Sequence, residues 1–320
     1  MTEQTQVLRQ AKNNATVVGL LNEKNLKLGS KTRDDGTVNE YINGDISVRT
    51  GEHEVHKIRF YAGKYTKAGA ENNQYKGLVT IMNEAVSVAD AKDNPDAVVD
   101  HVRVFGGIEL NEYYGRDGNL ASNQVVSGRF VTRLDKPDDD RTPKAEFSLE
   151  GVVQSVAPEY DRDGEETGRA KLGLIVPGYG GKVEPMNFVV VEEGSDYVQD
   201  TYNKGDTVEI VGKIVNEAVV SEKTIAMGFG KDKVETSVSY KNELIIVSGT
   251  EPYDEDSPQK FNVELIQPAL QRREVYLEGL KTASEQRANK PAAKTGFGAG
   301  ATTPTAQKEA NNRPDVSNFF

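Results

Sequence analysis

Basic and aromatic side chains alternate with apolar ones in the segment 55–61. The odd positions of this segment include Lys57, Arg59 and Tyr61, and the even positions are His56, Ile58 and Phe60. In a β-strand, successive side chains point to opposite faces of the sheet. One face of the predicted strand therefore carries two cations and an aromatic ring. Cations contact phosphates and aromatic rings stack on unpaired bases, so this face has the chemistry that a single-stranded nucleic acid requires.

The same residue types recur on the preceding predicted strand and in the flanking hairpins. The candidate nucleic-acid-binding residues are Lys24, Lys27, Lys31, Arg33, Tyr41, Arg49, Lys57, Arg59, Tyr61, Lys64, Tyr65, Tyr113, Tyr114 and Arg116. Each of them alone is also explained as a solvated surface residue or as a tyrosine at a sheet edge. The set as a whole favours binding, because the corresponding strand later in the chain, 186–191, carries no cation.

Other kinds of chemistry find little support in the residues. The chain has no cysteine and three histidines, which excludes disulfides and thiolate metal sites. His53 and His56 are three apart, so on a strand they point to opposite faces and do not share a metal. The segment 161–166 lacks the spaced acids of a calcium loop and is interpreted as an acidic hairpin. We expect no metal, no cofactor and no enzymatic activity.

An internal repeat determines the predicted architecture. The segment 100–108, Asp-His-Val-Arg-Val-Phe-Gly-Gly-Ile, aligns with 206–214, Asp-Thr-Val-Glu-Ile-Val-Gly-Lys-Ile. Further on, Val-Ser-Gly at 126–128 matches Val-Ser-Gly at 247–249. The landmarks occur twice in the same order, which indicates two copies of one domain.

Each copy shows five strand-like segments, with a helical stretch between the third and the fourth. This is the order of the five-stranded oligonucleotide-binding (OB) barrel. The predicted fold class is all-β, with two tandem five-stranded OB-fold barrels, each with a short helix, followed by a C-terminal helix and a disordered tail. The predicted boundaries are a flexible N-terminus at 1–13, a first barrel at 14–135, an acidic linker at 136–144, an acidic second barrel at 145–256, a helix at 257–282 and a disordered tail at 283–320.

The net charge of −11 speaks at first against a nucleic-acid ligand. The charge is unevenly distributed, at −1 over 1–135, −12 over 136–255 and +2 over 256–320. Because charges separated by more than about 8 Å are screened at physiological salt, the first barrel still presents a local basic face. The sequence shows neither a membrane span nor the apolar core of a signal peptide, and a cytoplasmic location is expected.

With the repeat and strand order in place, residues 14–250 resemble the tandem-barrel single-stranded-DNA-binding proteins of phage replication systems and, more distantly, replication protein A. The resemblance implies a protein that coats and protects single-stranded DNA in replication and recombination, in the host cytoplasm if the chain is of phage origin. The chain end is similar to the Phe-ending tip of such proteins, which recruits replication and repair enzymes. The matching residues are Asp315, Phe319 and Phe320.

Two alternatives stay open at this stage. Small β barrels also serve as structural or assembly adaptors, in which case the outward tyrosines would form a protein interface. RNA is the other alternative ligand.

Overall fold

The computed structural model describes residues 8–33, 35–94, 96–115, 117–225, 227, 229 and 233–288, with the backbone alone for 220, 222–224 and 233–235. The first five strands are β1 (Asn13–Thr32), β2 (Val38–Arg49), β3 (Val55–Gly63), β4 (His101–Tyr114) and β5 (Leu120–Arg133). The next five are β6 (Lys144–Tyr160), β7 (Glu166–Pro177), β8 (Val183–Val190), β9 (Thr207–Ile225) and β10 (Lys233–Gly249). The helices are α1 (Asn73–Glu84), α2 (Val88–Asp93), α3 (Glu192–Thr201) and α4 (Ile266–Ala288). The fold is therefore mostly β-sheet with a C-terminal helix, as the sequence predicts.

Each set of five strands closes on itself. In the first barrel, β1 pairs with both β2 and β4, and the circle continues through β3 and β5. The β3–β5 contact is parallel, with Ile58 opposite Val126, and the other pairs are antiparallel. The second barrel repeats this order from β6 to β10, with a parallel β8–β10 contact. Closure in this order is the strand arrangement predicted from the internal repeat.

Two glycines at equivalent places of the repeat mark where strands approach closely. Gly106 lies on β4 and Gly212 on β9. A Cβ added at Gly106 would lie 2.1 Å from the backbone oxygen of Ser127, and one at Gly212 would lie 2.3 Å from that of Ile245. A side chain at either position would therefore push the neighbouring strand away and open the barrel.

The two barrels share one continuous sheet. Strand β1 also pairs antiparallel with β6, from Asn13 opposite Leu149 to Val18 opposite Lys144. The hairpin of β4 and β5 adds a second contact, because the backbone N–H of Leu110 donates to Glu184 Oε2 at 3.1 Å. The barrels are thus joined through backbone pairing as well as through side chains.

The chain ends differ from the predicted boundaries. Residues 8–12 lie in the predicted flexible segment, yet Leu8 is buried and the Arg9 guanidinium donates to Glu150 Oε2 at 2.7 Å. The buried carboxylate of Glu150 is a partner that no local pattern reveals.

Helix α4 begins at Ile266 and ends at Ala288, later at both ends than the predicted 257–282. The residues before it form turns and a 3-10 helix at Val263–Leu265, and the N–H of Phe261 donates to Thr207 Oγ1 at 3.0 Å. The predicted disordered tail lies, from residue 289 onward, outside the described residues. None of the described helices combines the length and apolar character that crossing a membrane requires.

Candidate nucleic-acid interface

Strand β3 places three of the candidate residues on one exposed face. Its burial alternates residue by residue, as the sequence pattern requires. The exposed positions are Lys57, Arg59 and Tyr61, and the buried positions between them are His56, Ile58 and Phe60. The predicted outward orientation is confirmed, while the role of these residues in binding stays a prediction.

Two tyrosines on neighbouring strands form a stacked pair at the end of this face. The rings of Tyr41 and Tyr61 lie 5.4 Å apart between centroids, with 30° between their planes. Tyr41 pairs with Gly29 of β1, and a Cβ at Gly29 would lie 2.6 Å from the Tyr41 ring. The missing side chain at Gly29 leaves the space in which the Tyr41 ring lies. Tyr61 remains 69% exposed, so part of its ring surface is open to a ligand.

The cations of the face differ in their partners. Lys57 Nζ lies 3.2 Å from Asp45 Oδ2, so its charge is largely neutralised. Arg59 is exposed, and within the described part of the chain it has no ion pair or hydrogen bond. Among the described residues, Arg59 is therefore the cation of this face whose guanidinium is open to solvent.

The β2–β3 face forms one wall of a cleft of about 1800 Å³ between the barrels. The first barrel contributes Asp45, Arg49, Lys57 and Arg59 to it. A small-molecule site usually occupies about 300–1,000 Å³, so a cleft of this size has room for a larger, extended ligand.

The second barrel supplies the opposite wall, whose residues are not among those predicted from the sequence. Its polar lining includes Lys171 on β7, Asn187 on β8 and Tyr240 on β10. Lys171 alternates with the buried Ala170 and Leu172, the same signal that identified Lys57 on β3. The alternation could have found Lys171, but the pairing of β1 with β6 that turns it towards the first barrel could not be predicted.

Lys24 does not line the cleft. Its ammonium donates to the backbone oxygens of Met82 and Ala85 and lies 3.4 Å from Asp90 Oδ2. Orphan carbonyls at the end of a helix and a nearby carboxylate are good partners for a lysine. Lys24 therefore fastens the helical insert to the first barrel, a role that its position in a basic segment does not reveal.

The hairpin between β1 and β2 carries the next group of candidates. Lys27, Lys31 and Arg33 are exposed there. Arg49 is half-buried at the other end of β2, where its guanidinium donates to Asn22 Oδ1 at 3.0 Å and lines the cleft. The hairpin cations thus extend the basic surface beyond the cleft.

Lys64 and Tyr65 follow directly after β3. The Lys64 ammonium pairs with the Glu40 carboxylate and lies 5.8 Å from the centroid of the Tyr65 ring. Tyr65 is 55% exposed. The basic and aromatic character of β3 therefore continues into this loop.

The hairpin between β4 and β5 contacts the second barrel and α4. Tyr113 is 51% exposed, and the backbone oxygen of Tyr114 accepts from Ser284 Oγ at 3.4 Å. Glu112 pairs with Arg273 of α4. This hairpin contributes polar residues 122–124 to the cleft, while the two tyrosines lie beyond its lining. Arg116, Asp315, Phe319 and Phe320 lie outside the described residues.

His56 of β3 and His53, just before β3, both contact β9 of the second barrel. His56 is buried, with Nε2 at 2.9 Å from Thr50 Oγ1 and Nδ1 at 3.3 Å from Asn216 Nδ2. The backbone oxygen of His53 accepts from the N–H of Ala218 at 2.9 Å. Over the ranges described above, no group of three or more acidic or histidine side chains is arranged to hold a metal ion.

Comparison with known proteins gives a family but no activity. The model of the YorF family matches residues 12–283 of this chain. No curated protein matches the chain.

Two solved structures are similar in shape, both of the single-stranded DNA binding protein from Thermus aquaticus. A deletion mutant of it has 14% sequence identity and a TM-score of 0.43, over 78% of this chain and 98% of its own. The wild-type protein has 13% identity and a TM-score of 0.42, over 78% and 97%. At these TM-scores the similarity supports no inference about this chain.

Proposed function

We propose that this chain, which belongs to the YorF family, is a non-enzymatic cytoplasmic protein that binds single-stranded DNA. The DNA would lie along the β2–β3 face of the first barrel and enter the cleft between the barrels. The observation that carries the proposal is that Arg59, which has no ion pair or hydrogen bond among the described residues, shares one exposed face with the stacked Tyr41–Tyr61 pair. Cations and open rings on one surface are what phosphates and unpaired bases need.

A single strand fits this surface better than a duplex does. The faces of bases inside a duplex are covered by their neighbours, whereas an unpaired base can lie on the open side of Tyr61. Base–aromatic stacking contributes about 1–3 kcal/mol per base and tolerates any sequence. The proposal therefore includes little sequence preference.

The charge distribution supports the first barrel as the main contact. The net charge of −1 over residues 1–135 contrasts with −12 over residues 136–255. The acidic surface of the second barrel would repel phosphates. In the cleft, the positive charge of Lys171 would offset this repulsion. Repulsion from the rest of the second barrel would confine the single-stranded DNA to the cleft and the β2–β3 face.

Fluorescence anisotropy with a labelled oligothymidine tests the proposal. We expect binding at low salt, weaker binding to a duplex of the same length, and a log–log salt slope of about −0.7 for each phosphate contact. An oligouridine of the same length separates DNA from RNA preference. No binding to the oligothymidine at low salt would overturn the proposal.

We further propose that the chain end recruits replication or recombination proteins. Asp315, Phe319 and Phe320 would dock into an apolar pocket with a basic rim, since burial of a Phe side chain contributes about 1.5–3 kcal/mol. Deleting residues 318–320 should leave the melting temperature and DNA affinity unchanged and abolish binding to a purified partner. A lowered melting temperature with binding retained would contradict docking.

A structural or assembly adaptor is the second candidate function. Phe105 and Phe130 are directly opposite each other on β4 and β5, 37% and 50% exposed, with the Arg129 guanidinium 5.8 Å from the Phe105 ring. Neighbouring exposed phenylalanines are typical of protein contacts. Oligomerisation or partner binding by a protein that binds no oligonucleotide would favour this function.

A further inference from the structure

Three exposed tyrosines outside the cleft each have a lysine ammonium over the ring. The distances from Nζ to the ring centroid are 5.8 Å for Lys64 and Tyr65, 5.9 Å for Lys67 and Tyr179, and 5.9 Å for Lys182 and Tyr276. The tyrosines are 55%, 75% and 57% exposed, respectively. We call these six residues the lysine–tyrosine track.

Each of the three pairs is linked to the next through the fold. Lys64, Tyr65 and Lys67 belong to one loop after β3. Lys67 reaches across to Tyr179, which opens a 3-10 turn of the second barrel at Tyr179–Gly181. The next residue after that turn is Lys182, which contacts Tyr276 of α4. Each pair therefore shares a loop, a turn or a contact with the next.

Helix α4 is held in position at the far end of the track. The Arg272 guanidinium donates to the backbone oxygen of Gly181 at 3.4 Å. Tyr276 lies four residues later, on the same side of the helix as Arg272. The contact that fixes Arg272 beside the turn therefore also places the Tyr276 ring beside Lys182.

The track begins where the β2–β3 face ends. Tyr41 is opposite Gly63 in the strand pairing, and Lys64 pairs with Glu40, the neighbour of Tyr41. A strand leaving the stacked Tyr41–Tyr61 pair thus meets Lys64 and Tyr65 next.

We propose that the lysine–tyrosine track is a second segment of the single-stranded-DNA path, which carries the strand from the first barrel over Tyr179 to α4. Each lysine would move from its ring to a phosphate, and the freed ring face would stack on a base. Exposed cation–ring contacts are weak enough to be exchanged in this way. The inference rests on the proposed function, and it extends the binding site to residues of the second barrel and α4.

The dependence of affinity on DNA length tests the track. The full chain is titrated with a short oligothymidine of about 8 nucleotides, which one barrel can hold, and a long one of about 30 nucleotides. The variant is the double substitution Tyr179→Ala and Tyr276→Ala. Its matched control is Tyr160→Ala, which removes a tyrosine that is 51% exposed and hydrogen-bonded to Glu166 instead of lying under a lysine.

We expect the double variant to bind the long oligothymidine about tenfold more weakly and the short one with unchanged affinity. The control should match the wild type for both lengths. Unchanged affinity of the double variant for the long oligothymidine would overturn the track while the proposed function stands. Equal losses at both lengths would also contradict an extension of the site, and no binding by the wild type would remove the proposed function itself. Circular dichroism of each variant shows that the fold is retained.

Discussion

Tyr61 presents one side of its ring to Tyr41 and the other to solvent. Tyr61→Ala should remove a stacking platform and weaken oligothymidine binding by about 1–3 kcal/mol. Tyr61→Phe keeps the ring and should bind within experimental error of the wild type. Anisotropy titrations of both variants measure the difference. Equal affinity of the alanine and phenylalanine variants would show that no base stacks on Tyr61.

Asp45 is the acidic residue that limits the charge of the β2–β3 face. Its carboxylate pairs with Lys57 and lies opposite Arg59 in the strand register. Asp45→Asn should free Lys57 for a phosphate, strengthen binding at low salt and steepen the salt slope by about 0.7.

Asp163→Asn is the control for Asp45→Asn. It makes the same change of charge on the exposed hairpin between β6 and β7. The control should leave both the affinity and the salt slope unchanged. The same gain in both variants would mean that total charge, and not the position of Asp45, governs binding.

At the scale of elements, the positions of the strands and the face to which each side chain points follow from the local sequence pattern. The alternation in 55–61 gives the orientation of β3, and the repeat gives the order of both barrels. Pairing across the chain does not follow from either signal. The β1–β6 pairing, the hydrogen bond of Lys24 to Met82 and the hydrogen bond of Arg9 to Glu150 all depend on partners more than 50 residues away. The cleft, which these pairings create, therefore could not be predicted from the sequence. The outward-facing residues of each wall could be, because they follow from alternation along single strands.

The N-terminal segment depends on one buried carboxylate. Burial by itself would raise the pKa of Glu150, but the hydrogen bonds from Arg9 and from the N–H of Lys12 outweigh it and hold that pKa below its ordinary value of 4.5. A carboxyl group with a lowered pKa stabilises the fold above its unfolded-state pKa, and this stabilisation is lost as pH falls through the folded-state value.

Glu150→Gln should therefore lower the free energy of unfolding by about 1–3 kcal/mol at neutral pH, because the amide oxygen can still accept hydrogen bonds but no longer carries the negative charge that strengthens them. The difference between wild type and variant should shrink as the pH falls below about 4.5. Denaturant unfolding at pH 7 and pH 4 measures it. A difference that is the same at both values would show that the ionised carboxylate is not what holds residues 8–12.

At the scale of the molecule, the cleft belongs to both barrels. Lys171→Glu places a carboxylate on the wall opposite Arg59 and should weaken oligothymidine binding by about tenfold. Lys204→Glu is the matched control, since Lys204 is exposed on the same barrel outside the cleft lining. Equal losses would mean that the second barrel acts through its net charge and not through the cleft wall.

The most direct test of single-stranded-DNA binding on the first barrel compares two double variants at low salt. Arg59→Ala with Tyr61→Ala removes a cation and a ring from the β2–β3 face. Tyr160→Ala with Arg162→Ala removes the same pair of residue types from the exposed hairpin between β6 and β7.

By anisotropy with a labelled oligothymidine, we predict that the Arg59/Tyr61 variant binds on the order of a hundredfold more weakly than the wild type, and that the Tyr160/Arg162 variant binds as the wild type does. Wild-type affinity in the Arg59/Tyr61 variant, with melting temperatures unchanged, would contradict a DNA path over the first barrel.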